Sequence, residues 1–200
     1  MHYAEIIDLT LSDGLMILSA YLFGGFSPGF LLVRLQRGLD LRTIGSGSLG
    51  ARNVGRVLGR KGFYFTLVAD ILKGAVIVWL ASWLEFPPDI VGAVVIAVIA
   101  GHIWPIWLHF HGGKGIATSL GAFVALDYKI LLMGGVVLLV TYMITRNFLA
   151  SWIATLVAMP LIAFSLNYPL DVVVPLLISA AIILFAHKEN IRQVWFTSEH

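Results

Sequence analysis

Residues Ile90–Thr118 read "IVGAVVIAVIAGHIWPIWLHFHGGKGIAT". The stretch up to Leu108 contains no Asp, Glu, Lys or Arg, and a helix needs about 17–25 such residues to cross the hydrocarbon of a bilayer. The run then empties into a turn in which Gly112, Gly113 and Gly115 surround Lys114. An apolar span ending on a glycine-lysine turn suggests a membrane helix that delivers polar chemistry to one face of a bilayer.

The rest of the chain repeats the first half of that pattern. Of 200 residues, 59% are hydrophobic and 12% charged, with a mean hydropathy of +0.92. Soluble domains carry about 25% charged residues, and a water-soluble fold of this size could not hide so much apolar surface. Candidate spans lie at 15–35, 63–84, 90–108, 116–126, 130–144, 148–164 and 170–186. Pro28 and neighbouring glycines predict a kink in the first. The fourth and fifth, separated only by "DYK", read either as two short helices or as one irregular segment. The runs are continuous and do not alternate, which argues against a β-barrel. The acidic start, "MHYAEIIDLTLSDG", lacks a basic leader and reads as mature protein. The expected fold is all-α: a single polytopic membrane domain over residues 1–200.

Charge sets the orientation. Arg34, Arg37, Arg42, Arg52, Arg56, Arg60 and Lys61 cluster after the first span, Lys114 follows the third, Arg146 the fifth, and Lys188 and Arg192 the seventh. The alternate segments carry Glu5, Asp8, Asp13, Glu85, Asp89, Asp127 and Asp171 against one basic residue, Lys129. Basic residues mark the cytoplasmic side. Seven transmembrane helices are expected, with the N-terminus outside and the C-terminus cytoplasmic, and separate fourth and fifth helices fit that count.

Three polar islands then fall on the cytoplasmic face: "GSGSLGARNVGR" (45–56), the loop around Lys114, and "HKENIRQ" (187–193). Glycine-rich turns let backbone N–H groups crowd around an anion, and a following helix adds its own N–H groups and dipole. Lys114 and Arg56 supply full charges, the arginine suited to bidentate phosphate contact. This is not a Walker A loop, since Leu108 holds the first-glycine position and Gly115 follows the lysine. His187 and Asn190 share a helical face. His102 reads as a capping residue or a phosphate neighbour, and Asp70 with Lys73 as a structural ion pair within a span. Without cysteines, thiolate chemistry is excluded; "HFH" with no nearby carboxylate gives no metal site, and no cofactor or nucleic-acid partner is indicated.

The islands resemble the motifs of the bacterial acyl-phosphate:glycerol-3-phosphate acyltransferases (the PlsY family). Ser46-Gly47-Ser48-Leu49-Gly50-Ala51-Arg52-Asn53-Val54-Gly55-Arg56 is similar to the first motif, Ser-Gly-Asn-x-Gly-Ala-Thr-Asn-x-x-Arg. Gly101, His102, Pro105, Phe110, Gly112, Gly113, Lys114, Gly115, Ala117 and Thr118 match the second throughout, and His187, Glu189, Asn190 and Ile191 the third. Asp70, Lys73 and Gly74 complete a further family-like Asp-x-x-Lys-Gly.

The resemblance implies a site at the cytoplasmic face of the bacterial inner membrane. There an acyl group passes from acyl phosphate to the 1-hydroxyl of glycerol 3-phosphate, giving lysophosphatidic acid. It implies Lys114, His187 and Asn190 as catalytic residues. It implies Ser46, Gly47, Ser48, Gly50, Arg52, Asn53, Arg56, His102, Gly112, Gly113, Gly115 and Thr118 as substrate or phosphate contacts. Lys114, Arg56 and loop N–H groups would offset the repulsion of two anions, Ser46 and Asn53 would hydrogen-bond phosphate or glycerol, and Asn190 would stabilise the oxyanion. The hydroxyl proton goes either to His187 or to the leaving phosphate, in which case His187 only positions its neighbours. The lipid bilayer is the expected surroundings, and the oligomeric state is left open, monomer included.

Three departures stand out: Ser48 where the family has Asn, Arg52 where it has Thr, and Ser151 as the only counterpart of a Ser-x-x-Ser pattern. A paralogue acting on another phosphorylated polyol, or a non-catalytic lipid-phosphate binder, is the alternative. A transporter of a phosphorylated solute would place polar groups near the midplane. Acyl-CoA-type transferases commonly carry His-x-x-x-x-Asp, which is absent here.

Overall fold

The computed structural model describes residues 9–189 and 191–192, so Glu5, Asp8, Asn190 and Gln193 lie outside the described residues. Eight α-helices follow one another without a strand among the described residues: α1 (Leu11–Gly25), α2 (Pro28–Arg37), α3 (Ala51–Trp83), α4 (Pro88–Ile103), α5 (Ile116–Leu126), α6 (Tyr128–Thr145), α7 (Phe148–Ser165) and α8 (Leu170–Ala186). This is an all-helical membrane protein. Five segments are long and apolar enough to cross a bilayer: Leu11–Arg37, Ala51–Trp83, Pro88–Leu108, Tyr128–Thr145 and Phe148–Ser165. Helices α5 and α8 are shorter, at 11 and 17 residues.

Local chemistry sets most boundaries. Thr10 and Asp13 form a reciprocal capping box at the start of α1. The expected break in the first apolar run falls between α1 and α2, where the Ser27 hydroxyl caps α2 and Pro28 takes its first turn. Asp127 ends α5 and caps α6 through the Lys129 amide, which resolves "DYK" into a junction between two helices. Asn147 caps α7 by accepting from the amides of Leu149 and Ala150. Helix α3 begins well before its apolar run. Its first two turns carry Arg52, Asn53 and Arg56, and Gly59 then breaks the helical path at φ 69°, ψ −163°, a conformation open only to glycine.

Bare glycine surfaces close the bundle. Helix α1 packs on α4 where Gly24 sits against Val98 O and Gly101 against Tyr21 O; α3 packs on α5 where Gly74 meets Thr118 O and Gly121 meets Ile71 O. Backbones this close need small residues, the usual solution in a bilayer, where burial against lipid supplies little drive. The main core lies along α4, with Val94, Val95, Val98 and Ile99 fully enclosed. A smaller cluster of Val33, Leu41, Leu49 and Val54 anchors the loop between α2 and α3.

Candidate active site

The first two islands are joined directly, since Leu49 N donates to Gly112 O at 3.2 Å. Beside this junction lies a cavity of about 340 Å³. Ser46, Ser48, Gly50, Arg52, Asn53, Arg56, His102, Lys114, Gly115 and His187 all line it, drawn from stretches far apart in the sequence. Gly47, Gly112, Gly113 and Thr118 do not line it. Asn190 lies outside the described residues.

The loop before α3 is built around Asn53, which is 1% exposed. Its Nδ2 donates to Leu41 O (3.2 Å) and Ile44 O (2.8 Å), while its Oδ1 accepts from Ser46 N (3.2 Å) and Arg56 Nη1 (3.4 Å). These four bonds hold the loop together, and Asn53 also lines the cavity. Ser48 Oγ accepts from Gly50 N at 3.3 Å, a bond that an Asn side-chain oxygen also makes; this departure keeps the local geometry. Arg42 ties the loop to the second island through Leu108 O (3.3 Å). Arg42 also hydrogen-bonds the Asp40 carboxylate and holds its pKa at about 2. Asn53→Ala removes these bonds while the Leu41 and Ile44 carbonyls keep one backbone partner each, Ile44 N and Gly47 N, so each lost bond costs about 0.5–1.5 kcal/mol. We expect a melting temperature lowered by several degrees in detergent and a many-fold loss of activity.

The glycine-lysine turn corrects one expectation. Gly112 N donates to Ile103 O and Gly113 N to His102 O, both at 3.0 Å. These two amides therefore fasten the turn to the end of α4, which is how non-helical backbone is satisfied at membrane depth. The donors that face the cavity come from elsewhere. Helix α5 starts at Gly115 (φ 87°) with no side-chain cap, and α3 starts at Gly50 with none either. Gly115, Ile116 and Ala117 line the cavity, as do Gly50, Ala51 and Arg52. Two helix N-termini, each carrying about half a positive charge, converge on one space.

Three cations join them. Arg52 and Arg56 are exposed at the rim, and Lys114 is partly buried. Burial, then the nearby Arg52 and Arg56 charges, push the Lys114 pKa down from its ordinary value. A bound anion relieves both the repulsion and the unmet helix starts.

His187 caps α8 and is 4% exposed. Its Nδ1 lies 2.9 Å from Ile183 O. A carbonyl only accepts, so Nδ1 carries the hydrogen and Nε2 the lone pair. Burial first, and then the Lys114 and Arg52 charges, lower its pKa against the raising effect of that backbone bond.

Asp70 and Lys73 form the ion pair expected from their spacing, at 2.8 Å. Sequence reading missed that His102 joins them, with Nδ1 2.7 Å from Lys73 Nζ. It also missed the apolar wall, where Phe63, Leu67, Phe148 and Leu149 meet. Ser151 does not reach the cavity: its hydroxyl donates to Asn147 O (2.8 Å) and lies 3.0 Å from Thr145 Oγ1. Thr118 is fully buried, with its carbonyl against Gly74 in the α3–α5 seam.

The family model described as glycerol-3-phosphate acyltransferase matches residues 14–197. The chain belongs to that family. It is 41% identical over 191 residues to "Glycerol-3-phosphate acyltransferase 1" of Desulfitobacterium hafniense (strain Y51), covering 96% of this chain and 92% of the relative. It is 37% identical to a glycerol-3-phosphate acyltransferase of Proteus mirabilis (strain HI4320), covering 90% and 82%. Among solved structures it is similar to PlsY, an integral membrane glycerol 3-phosphate acyltransferase. In the glycerol 3-phosphate form the TM-score is 0.84 at 32% identity; in the lysophosphatidic acid form it is 0.82 at 31%; each covers 94% of both chains. Like these relatives, the chain is an acyltransferase.

Proposed function

We propose that the chain moves a fatty acyl group from acyl phosphate to the 1-hydroxyl of glycerol 3-phosphate, releasing phosphate and lysophosphatidic acid for phospholipid synthesis. The observation that carries this is the pairing of two uncapped helix starts and three cations with an apolar wall in one cavity. That combination suits two phosphate-bearing substrates, one of them also a lipid. The solved relative in glycerol 3-phosphate and lysophosphatidic acid forms supports the acceptor and the product.

In this reading Lys114 and the α5 start hold the transferring end of acyl phosphate, while Arg52, Arg56 and the α3 start hold the acceptor's phosphate. Phe63, Leu67, Phe148 and Leu149 receive the first carbons of the acyl chain. The acceptor oxygen bonds to the acyl carbon, the carbon–oxygen bond to phosphate breaks, and phosphate leaves with the electron pair. The hydroxyl proton passes to His187 Nε2, the neutral nitrogen with the lone pair, or to the departing phosphate. Asn190 is assigned to the developing oxyanion from its place in the third motif. No step requires a cofactor, because acyl phosphate is already activated.

The same reading makes residues 1–200 one domain with seven crossings: α1 with α2 as the first, then α3 through α8. The charge asymmetry favours an outer N-terminus and a cytoplasmic site in the bacterial inner membrane. Arg52 favours a second reading of the acceptor, since it adds a charge where the motif has Thr. The deciding experiment measures phosphate release from palmitoyl phosphate by purified protein in lipid, with and without glycerol 3-phosphate. Acceptor-dependent release with lysophosphatidic acid as product is expected. Release only with a different polyol phosphate would transfer the assignment to that acceptor, and no release from folded protein would end the catalytic reading.

A further inference from the structure

Asp70, Lys73 and His102 form a charged cluster among membrane-spanning helices, at 2%, 4% and 6% exposure. Charges this deep are expensive unless matched, and the matching here is complete on one atom. Lys73 Nζ has three acceptors around it: Asp70 Oδ1 at 2.8 Å, His102 Nδ1 at 2.7 Å and Phe26 O at 2.9 Å. An ammonium has three hydrogens and accepts none, so each acceptor takes one. Asp70 Oδ1 lies 3.7 Å from His102 Nδ1, beyond hydrogen-bond distance. Nδ1 of His102 is therefore a lone-pair acceptor from Lys73, and the ring hydrogen sits on Nε2.

The Nε2 edge of the ring abuts Gly113, the neighbour of Lys114 in the glycine-lysine turn. A Cβ placed on Gly113 would run into His102 Nε2, so the absence of a side chain at Gly113 is what admits the ring beside the glycine-lysine turn. His102 and Asp70 both line the cavity that Lys114 lines. His187 stands in the same cavity with the opposite arrangement, hydrogen on Nδ1 and lone pair on Nε2.

We propose that Lys73, with its charge balanced by Asp70, is a positioning residue that holds His102 as the Nε2–H tautomer, offering an uncharged donor to a phosphate oxygen in the cavity. The proposal rests on the phosphate-binding reading given above. It explains why the cluster pairs three groups where an isolated Asp–Lys bridge would satisfy the helices. It also separates two histidines that composition makes identical: one donates at Nε2, the other accepts.

The test replaces the ion pair as a unit, Asp70→Asn with Lys73→Met, so that no buried charge is stranded. Nitrogen-15 spectra of histidine-labelled protein, with the His102 signal assigned by its loss in His102→Gln, report the tautomer without reference to activity. We expect a pure Nε2–H form in the native protein and a mixture of tautomers in the paired variant. The KM for glycerol 3-phosphate or for acyl phosphate should rise as the inverse of the Nε2–H fraction, about twofold where half of the rings keep that form and about tenfold where a tenth do, with kcat less affected. In a His102→Gln background the glutamine amide supplies the donor at the Nε2 position whatever the lysine does, so adding the paired change should cost no further affinity.

A native His102 with its hydrogen on Nδ1, or a paired variant with native KM for both substrates, overturns the proposal. So does a full additional loss in the glutamine background, because the pair would then act on packing. Failure of the functional reading is distinct: the tautomer would be as stated, while the protein turned over neither substrate.

Discussion

Replacing Lys114 by alanine lowers kcat/KM for acyl transfer by about 10²–10³-fold, the usual effect of losing one preorganised charge-stabilising donor, while the melting temperature stays within a few degrees. The separation follows from how the turn is held. Gly112 and Gly113 fasten it to α4 through backbone bonds, and those bonds do not involve the lysine side chain. Removal also relieves repulsion with Arg52 and Arg56. Initial rates at varied palmitoyl phosphate, alongside thermal melts in detergent, measure both quantities. Native activity in the folded variant would sink the assignment of Lys114 to the phosphate.

His187→Ala is expected to lower kcat by about 10²–10⁴-fold if the ring accepts the hydroxyl proton. His187→Asn keeps a donor for Ile183 O but no base. Equal loss in both variants identifies the ring as base; recovery in the Asn variant assigns the proton to the leaving phosphate and a positioning role to His187. The pH profile gives an independent reading. A depressed pKa means that the ring of the free enzyme stays neutral to lower pH than an ordinary histidine, so the acid limb of kcat/KM lies below 6.5. Arg52→Thr removes one of the charges that depress it and moves the limb upward, toward 6.5. A limb above 6.5 in the native protein would contradict the surroundings described for His187.

How much of this could be read beforehand differs from element to element. The apolar runs locate α4 through α8 to within a few residues, because continuous hydrocarbon-compatible sequence leaves the chain few alternatives to helix. The beginning of α3 is not legible in that way: residues 51–60 are polar and glycine-rich, and their helicity comes from packing of Ala51 and Val54 and from the Asn53 bonds. The sequence identifies the cavity's cations and histidines, since they sit in short contiguous motifs. Which amides serve the fold and which face the cavity depends on where α4 ends, a tertiary matter. The meeting of Lys73 with His102 is 29 residues apart in sequence, and no helical or turn spacing announces it.

The cavity's walls are also unequally held. The side made by α3, α4 and α5 is clamped where glycines let backbones touch, and any movement there would open those seams. The side made by Phe148 and Leu149 belongs to α7, whose principal partner is α6. Of the 18 residues in α6, only Ile130 and Gly134 are buried. The anion-holding half is thus closely clamped, while the apolar wall is divided, with Phe63 and Leu67 on α3 and Phe148 and Leu149 on the more lightly packed α6–α7 hairpin. If acyl phosphate is the donor, a site built this way is expected to be strict about the head of its lipid and more lenient about the tail, because the lighter packing lies on the apolar side.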